Sequence, residues 1–391
     1  MDNCVIPHGY KATALGIIPQ EWEVMLLGNL SNSISSGRNK HRDAHGQYPV
    51  FGSTGIIGYS STYEYEGPVI LVARVGANAG TLNFASGQYD VSDNTLIITI
   101  KQNVYDYNFA YNQLTHYKLN KLVFGSGQPL ITSKQLKNIR IPVPPLAEQR
   151  KIAEVLGVWD KAIEKQARLI EKLALRKRAL MQRLLSAKLR LPGFSEPWKK
   201  VKLGDVAELY QPQTIQSEDL SQTGYPVYGA NGLIGYYNNY NHEYPQVVIT
   251  CRGSSCGTVN FTPGKCWITG NAMVLNVDNN RDVNKSFFYY LISNSSFVNL
   301  ISGSGQPQIV RQPLLKFELR IPPLKEQTAI AEVLTAADRE IDLAKEKLER
   351  LRRQKRGLMQ QLLTGKKRLP GFSGPWMERK LGAISHIKTG S

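Results

Sequence analysis

Two kinds of apolar pattern alternate along this chain. In the first, short β-branched runs are punctuated by Gly, Asn and Pro. They run from Val69 to Val75, Thr81 to Phe84 and Leu96 to Ile98, and again from Val247 to Gly253, Thr258 to Phe261 and Met273 to Leu275. Such runs predict a compact, mixed body rich in strands. After each set a helix rich in Tyr, Phe and Leu is predicted, over about 106–122 and about 284–300.

In the second kind, apolar residues keep a seven-residue period for about 40 residues without proline, after Pro144-Pro145 and after Pro322-Pro323. In the first stretch, Ile152, Trp159, Gln166, Leu173 and Leu180 form one row, and Leu156, Ile163, Ile170, Lys177 and Leu184 the other. The second stretch repeats this with Ile330, Ala337, Ala344, Leu351 and Leu358, and with Leu334, Ile341, Leu348, Lys355 and Leu362. Two rows over several heptads predict a helix with a coiled-coil seam. Both seams share one register, so the simplest partner of each helix is the other. The pair is antiparallel if a two-fold axis relates the copies. Lys177 and Lys355 occupy equivalent seam positions. They form a register-setting polar pair or touch phosphate, or, as we favour from sequence, their stems pack while the ammonium groups reach water.

These patterns belong to a duplication. The stretch from Leu191 to Gly204 returns from Leu369 to Gly382 with 10 of 14 positions identical, an offset of 178 residues. The same offset links Gly125-Ser126-Gly127-Gln128-Pro129 to Gly303-Ser304-Gly305-Gln306-Pro307. It also links Pro144-Pro145-Leu146-Ala147-Glu148-Gln149 to Pro322-Pro323-Leu324-Lys325-Glu326-Gln327. A period this long is a whole domain with its connector, not a solenoid unit. From Trp376 onward the unit begins a third time. The division read from sequence is a first domain over 1–145, a long helix over 146–190, a second domain over 191–323, a second long helix over 324–368, and a partial third repeat over 369–391. The fold class is α+β, with two repeated β-rich domains joined by two long helices in an antiparallel coiled coil.

Charge narrows the partners. Lys and Arg outnumber Asp and Glu by 48 to 31, a formal +17. That excess suits nucleic acid first and an anionic membrane surface second. The membrane is disfavoured, because no run of about 18 apolar residues exists and the N-terminus lacks a basic-then-apolar signal. Four cysteines (Cys4, Cys251, Cys256, Cys266) suggest a reducing compartment, hence the cytoplasm, with no disulfide framework. Cys251 and Cys256 lack the further ligands of a zinc site, so no metal is expected. No phosphate-binding G-x-x-x-x-G-K-[ST], no H-E-x-x-H and no G-x-S-x-G is present, and neither diproline has the Asn or Asp before it and aromatic after it that an amino-methyltransferase needs. Catalysis by this chain is not expected.

The P-P-L-x-E-Q motif opening a long helix, G-S-G-Q-P upstream of it, and two such units per chain resemble the DNA-specificity subunit of type I restriction–modification enzymes. That resemblance covers nearly the whole chain. It implies that each β-rich body is a target-recognition domain reading one half of an interrupted site in double-stranded DNA. It implies that the helices set the spacing and dock two methyltransferase subunits, with a motor-nuclease subunit joining for restriction. S-adenosylmethionine would then sit on those partners, which methylate a flipped adenine, and this chain would hold no cofactor. It further implies that the chain ends come together, so that the tail docks near the first domain, unless the chain is part of a longer polypeptide. Two other readings stay open: a specificity subunit for a fused nuclease–methyltransferase, and a basic coiled-coil scaffold for RNA or membrane.

Within that frame, residues identical in both copies suit framework, phosphate contact or docking, while residues that differ suit base reading. Arg74 and Arg252 are shared, as phosphate contacts or structural ion pairs. Ser126, Gln128, Ser304 and Gln306 are shared, and a tight turn feeding the last strand is their favoured role. The divergent loops are Gly37-Arg38-Asn39-Lys40-His41-Arg42 in copy one and Gln211-Pro212-Gln213-Thr214 in copy two. Arg and Lys suit guanine, and Gln and Asn suit adenine; the basic run can equally be solvated charge. Arg311, where copy one has Ser133, is a further candidate reader or a solvated arginine. The seam residues expected to pair the helices and dock partners are Ile152, Leu156, Trp159, Ile163, Ile170, Leu173, Ile330, Leu334, Ile341, Leu348 and Leu351.

Overall fold

The computed structural model describes residues 6–40, 43, 45–124, 129–229, 231–303 and 305–372. His41, Arg42, Ser126, Gln128, Ser304 and the restart from Trp376 lie outside them. The chain divides into two units, Met1–Lys165 with Leu348–Ser391, and Gln166–Lys347. Each therefore combines one β-rich domain with the near half of one long helix and the far half of the other.

The two domains share a topology. In the first, an antiparallel sheet has the order Ser31–Ser36, Thr95–Ile100, Val69–Ala73, Leu82–Ala85. In the second the order is Glu208–Tyr210, Ala272–Asn276, Val247–Thr250, Val259–Phe261. A smaller sheet accompanies each, built on a hairpin (Tyr48–Gly52 with Gly55–Ser60; Tyr225–Gly229 with Gly232–Tyr237). A parallel strand joins it (Gln88–Val91; Trp267–Ile268). The run Val69–Ala73 is buried at every position because both its faces are covered. Ile70 and Val72 pack with Phe109 and Leu114 of the helix Tyr107–Tyr117, while Val69 and Leu71 pack with Tyr89 and Val91 of the smaller sheet.

The helices after the sheets are shorter than the sequence predicts. Asp106 caps the first by accepting from Phe109 N–H, and it stops at Tyr117 because Lys118 turns left-handed (φ 59°). A separate 3-10 turn then covers Leu119–Leu122. Asn284 caps the second, Lys285–Ser293, through Phe287 N–H.

Each long helix has 39 residues, Leu146–Leu184 and Leu324–Leu362. Helical bonding thus ends before Arg190 and Arg368, and a left-handed residue, Ala187 (φ 58°) or Gly365 (φ 71°), turns the chain in between. In the second unit the helices run antiparallel. Gln166 Nε2 donates to Ala344 C=O at 3.0 Å, and further along the first helix Lys177 meets Asp338, earlier on the second. Leu173 packs there with Ile341 and Ala344, with Ile170 beside them. Leu348 is buried, and Trp159, Ile163 and Leu351 are half-buried. The ends of the predicted seams do something else. Ile152 and Leu156 enter the first domain's core with Met359, Leu362 and Leu363, and Ile330 and Leu334 enter the second's with Leu184 and Leu185.

The seam lysines correct the favoured sequence reading. The Lys177 ammonium pairs with the Asp338 carboxylate and lies 5.2 Å from the Tyr290 ring centre, while Tyr290 O–H donates to the other Asp338 oxygen at 2.8 Å. In the first unit Lys355 Nζ pairs with Asp160 at 2.6 Å. Each lysine thus meets an aspartate that flanks a seam row of the opposite helix, instead of leaving its ammonium group to water alone. A double-mutant cycle of Lys177→Met and Asp338→Asn, followed by urea unfolding, is expected to give a coupling of about 1 kcal/mol. Strict additivity would remove the pair's role.

The E-Q of the helix-opening motif anchors each unit. Glu148, wholly buried, accepts Trp22 Nε1 (3.0 Å) and both Nε (3.0 Å) and Nη2 (2.8 Å) of Arg368, which also pairs with Glu21. Glu326 likewise accepts Trp198 Nε1 (3.2 Å) and Arg190 Nε and Nη2 (2.6 and 2.8 Å). Gln149 donates to Val104 C=O and Pro144 C=O and accepts from Asp106 N–H. Gln327 does the same with Asp282, Pro322 and Asn284. Each glutamine thereby ties a long helix to the start of a domain helix. Replacing Gln149 by alanine strands three backbone polar groups and is expected to cost about 2–3 kcal/mol in chemical denaturation; a loss under half of that would mean water replaces the amide.

Candidate nucleic-acid interface

In each domain one tight turn, leading into the central strand, holds the surrounding loops together. In the first domain it is Ser92–Asn94. Ser92 N–H donates to Phe51 C=O (2.9 Å) at the root of the hairpin, whose Ser53 hydroxyl donates to Asn94 C=O (3.4 Å). Arg74 N–H donates to the same Asn94 carbonyl (2.9 Å). Gly37 N–H donates to Thr95 C=O (2.9 Å), and Arg38 and Asn39 N–H both donate to Val91 C=O (3.0 and 2.9 Å). In the second domain the turn is Thr269–Asn271. Thr269 N–H donates to Tyr228 C=O (3.0 Å) of the hairpin, and Cys251 N–H donates to Asn271 C=O (3.1 Å). Gln211 Nε2 donates to Gly270 C=O (2.9 Å), and Trp267 Nε1 to Gln213 C=O (3.3 Å). The proline end of each G-S-G-Q-P joins the same region, since Pro129 C=O accepts from Gly76 N–H and Pro307 C=O from Gly253 N–H.

The turn thus brings together the divergent loop, the hairpin and the arginine-bearing strand end. Arg38 is exposed, with its guanidinium 3.7 Å from Glu64, and Lys40 is exposed as well. Asn39 is an anchor: its amide donates to the buried carboxylate of Asp90. Gln213 is exposed, and the Gln211 amide is held by the turn. Beneath the second loop, Tyr210 bonds His242 Nε2 (2.9 Å), and burial pushes that imidazole below its ordinary pKa. Cys251 belongs to the core, where burial raises its thiol to about 11.

Arg74 and Arg252 are not equivalent, although the sequences align them. Ala73 stands opposite Thr95 and Thr250 opposite Ala272, and both partners directly follow the turn's asparagine. Arg74 therefore matches Cys251, and Arg252 matches Val75, as the bridges Val75 to Leu130 and Arg252 to Gln308 agree. A one-residue shift in a strand reverses the face. Arg74 shares the face of Ile70 and Val72, and its Nη1 donates to Ser36 Oγ (3.2 Å) at the root of the divergent loop. Arg252 points to the other face and is exposed. Neither has an ion pair among the described residues. Arg311 stands apart from the turn. It opens the short helix Arg311–Leu315 and lines a cleft of about 650 Å³ with Arg281 and with Asp205, Glu208 and Asp282, whose three carboxylates outnumber the two guanidinium groups and disfavour a phosphate backbone.

Sequence reasoning missed the turn itself. Its only signal was the asparagine before the strand, which marks a turn without showing what the turn holds. Among the described residues no three His, Cys, Asp or Glu side chains form a metal-binding group, and no helix is long and apolar enough to cross a membrane.

The family model for the type I restriction modification DNA specificity domain matches this chain twice, over residues 19–174 and 195–353. The chain is 24% identical to the type I restriction enzyme MjaVIII specificity subunit of Methanocaldococcus jannaschii over 413 residues, covering 91% of this chain and 95% of that protein. The putative MjaX specificity subunit of the same organism is 26% identical, with 93% and 97% covered. The fold of the present chain is similar to the crystal structure of a type I restriction–modification system S subunit from M. genitalium, with a TM-score of 0.63, 20% identity, and 88% and 96% of the two chains covered. With two matched domains spanning most of its length, the chain belongs to the family of type I restriction–modification DNA specificity subunits.

Proposed function

We propose that this chain reads a bipartite target in double-stranded DNA, one half per recognition domain, and does no chemistry itself. The observation that carries this reading is that one scaffold is built twice, with different loops mounted on the same turn. Arg38 and Lys40, with His41 and Arg42 of the same loop, face one half-site; Gln213 and Gln211 face the other. Arg252 contacts phosphate, and Arg74 braces the first loop at Ser36. Asn39 supports its loop from below, and Arg311 is a secondary contact at most. The two helices, each about 60 Å long at 1.5 Å per residue, fix the gap between half-sites. They also carry two DNA adenine methyltransferase subunits, which bind S-adenosylmethionine, and a motor-nuclease subunit joins for restriction.

Co-expression with the methyltransferase partner, followed by genome-wide mapping of methylated adenine, tests this. A two-part motif with a fixed gap supports the reading, and a continuous short motif rejects it. Exchanging residues 38–42 for another loop is then expected to change one half of the motif only. A change in both halves, or in the gap, would contradict the assignment of that loop.

A further inference from the structure

The two recognition domains share a feature that neither framework nor base reading uses. Both hairpins carry the pattern Gly-x-x-Gly-(Ile/Leu)-Ile-Gly-Tyr, at Gly52 to Tyr59 and Gly229 to Tyr236. In both, one strand carries an extra residue at the same place. Phe51 faces Ile56 while Val50 faces Gly58, and Tyr228 faces Leu233 while Val227 faces Gly235. The bulge residue, Ile57 or Ile234, lies over the glycine that closes the hairpin, Gly52 or Gly229. The residue before it is left outside. Ile56 is 53% exposed and Leu233 51%, and in the second domain Ile234 is exposed as well, at 50%.

A single exposed aliphatic side chain needs no explanation. Two at the same hairpin position, each fixed by the same bulge, do. They are exposed, so they serve no core. They are apolar, so they bind no phosphate. The pattern is shared by both copies, so it does not distinguish the half-sites. A contact to duplex DNA that is independent of sequence, or a contact to a protein, remains. Position decides between them. Each hairpin is tied by its own strand end to the turn that carries the divergent loop, through Phe51 and Ser92 or Tyr228 and Thr269. In the first domain that loop presents Arg38 and Lys40, a charge complementary to DNA.

Resting on the DNA-reading function above, we propose that Ile56 and Leu233 are apolar wedges. Each enters a groove of duplex DNA beside the bases its domain reads and loosens the stacking of one base step, as aliphatic wedges do elsewhere. A loosened step beside the half-site lowers the cost of extruding the target base to a partner enzyme.

The test uses the full chain assembled with its methyltransferase subunits, and a duplex carrying the mapped motif. 2-Aminopurine replaces each adenine in turn except the methylated one. Wild type is expected to raise its fluorescence at one step in each half. Ile56→Ser and Leu233→Ser are each expected to abolish the rise in one half only and to weaken binding about tenfold, the scale of burying the rest of an aliphatic side chain. The salt dependence of binding is expected to stay unchanged, because no phosphate contact is lost. Variants that bind like wild type and keep the fluorescence rise overturn the wedge while leaving DNA reading intact. Loss of methyltransferase subunits with DNA affinity unchanged overturns it in favour of protein docking. Failure of the wild-type assembly to bind the duplex overturns the DNA reading and the wedge together.

Discussion

Replacing Glu148 by alanine is expected to destabilise the first unit by about 3–5 kcal/mol, the usual cost of removing one member of a buried ion pair. Glu148 accepts three hydrogen bonds, from Trp22 and from two nitrogens of Arg368, and no part of it reaches solvent. The substitution leaves the Trp22 indole N–H without its acceptor inside the core and, among the described residues, leaves Arg368 with Glu21 alone. Removing Arg368 as well takes away the stranded charge, so the double variant is expected to lose clearly less than the sum of the two singles, by about 2 kcal/mol. Hydrogen exchange locates the damage. Protection is expected to fall around Trp22 and at 359–368, and to hold in the second unit. Glu326→Ala is expected to reverse the pattern, because among the described residues Trp198 Nε1 has no other acceptor and Arg190 keeps only the Glu196 carbonyl. Equal loss of protection in both units for either variant would sink the idea that each glutamate closes its own unit.

This closure shows what the sequence exposes and what it hides. The duplication, the strands and the two long helices were readable because each is a local or periodic signal. The P-P-L-x-E-Q motif was visible too, but not its role, since the arginine that Glu148 binds lies 220 positions away. The turn after the second long helix supplies to the first domain, through Arg368, what the turn after the first supplies to the second through Arg190. The seam lysines were misjudged because an antiparallel pairing brings Lys177 to Asp338, a neighbour no single-helix periodicity reveals. Aligning Arg74 with Arg252 maximised identity and concealed a one-residue shift that only strand register exposes. That shift also changes the sorting rule: identity between copies marks a common role only where the backbone positions coincide. The candidate readers themselves were legible as divergent loops, whereas the turn that seats them was not, because most of its bonds are backbone and the few side chains that join it differ between the copies.

The seating of those loops gives a second large effect. At Gly37 a Cβ would lie 2.4 Å from Val91 C=O and 2.5 Å from Ser92 C=O, and Val91 is the carbonyl that holds Arg38 and Asn39. Neither backbone oxygen can retreat without breaking the turn, so Gly37→Ala pushes the loop off its seat. In the second domain the close approach is made from the other side. Gly270 belongs to the turn, and a Cβ there would lie 2.7 Å from Thr214 Oγ1 and 2.8 Å from Pro212 C=O of the divergent loop. Gly37→Ala is expected to cost about 1–3 kcal/mol of stability through overpacking. It is also expected to reduce discrimination at one half-site at least tenfold, roughly the worth of one paired base contact. Gly270→Ala is expected to do the same at the other half-site. Binding to duplexes with either half altered, at fixed salt, separates the two outcomes. If each variant loses discrimination at both halves, or keeps it at both while losing only stability, then the turn seats no reader and the loops owe their place to something else. If the losses fall on opposite halves, one scaffold presents two readers, and the glycine that lets each loop approach marks which side of the contact gave way.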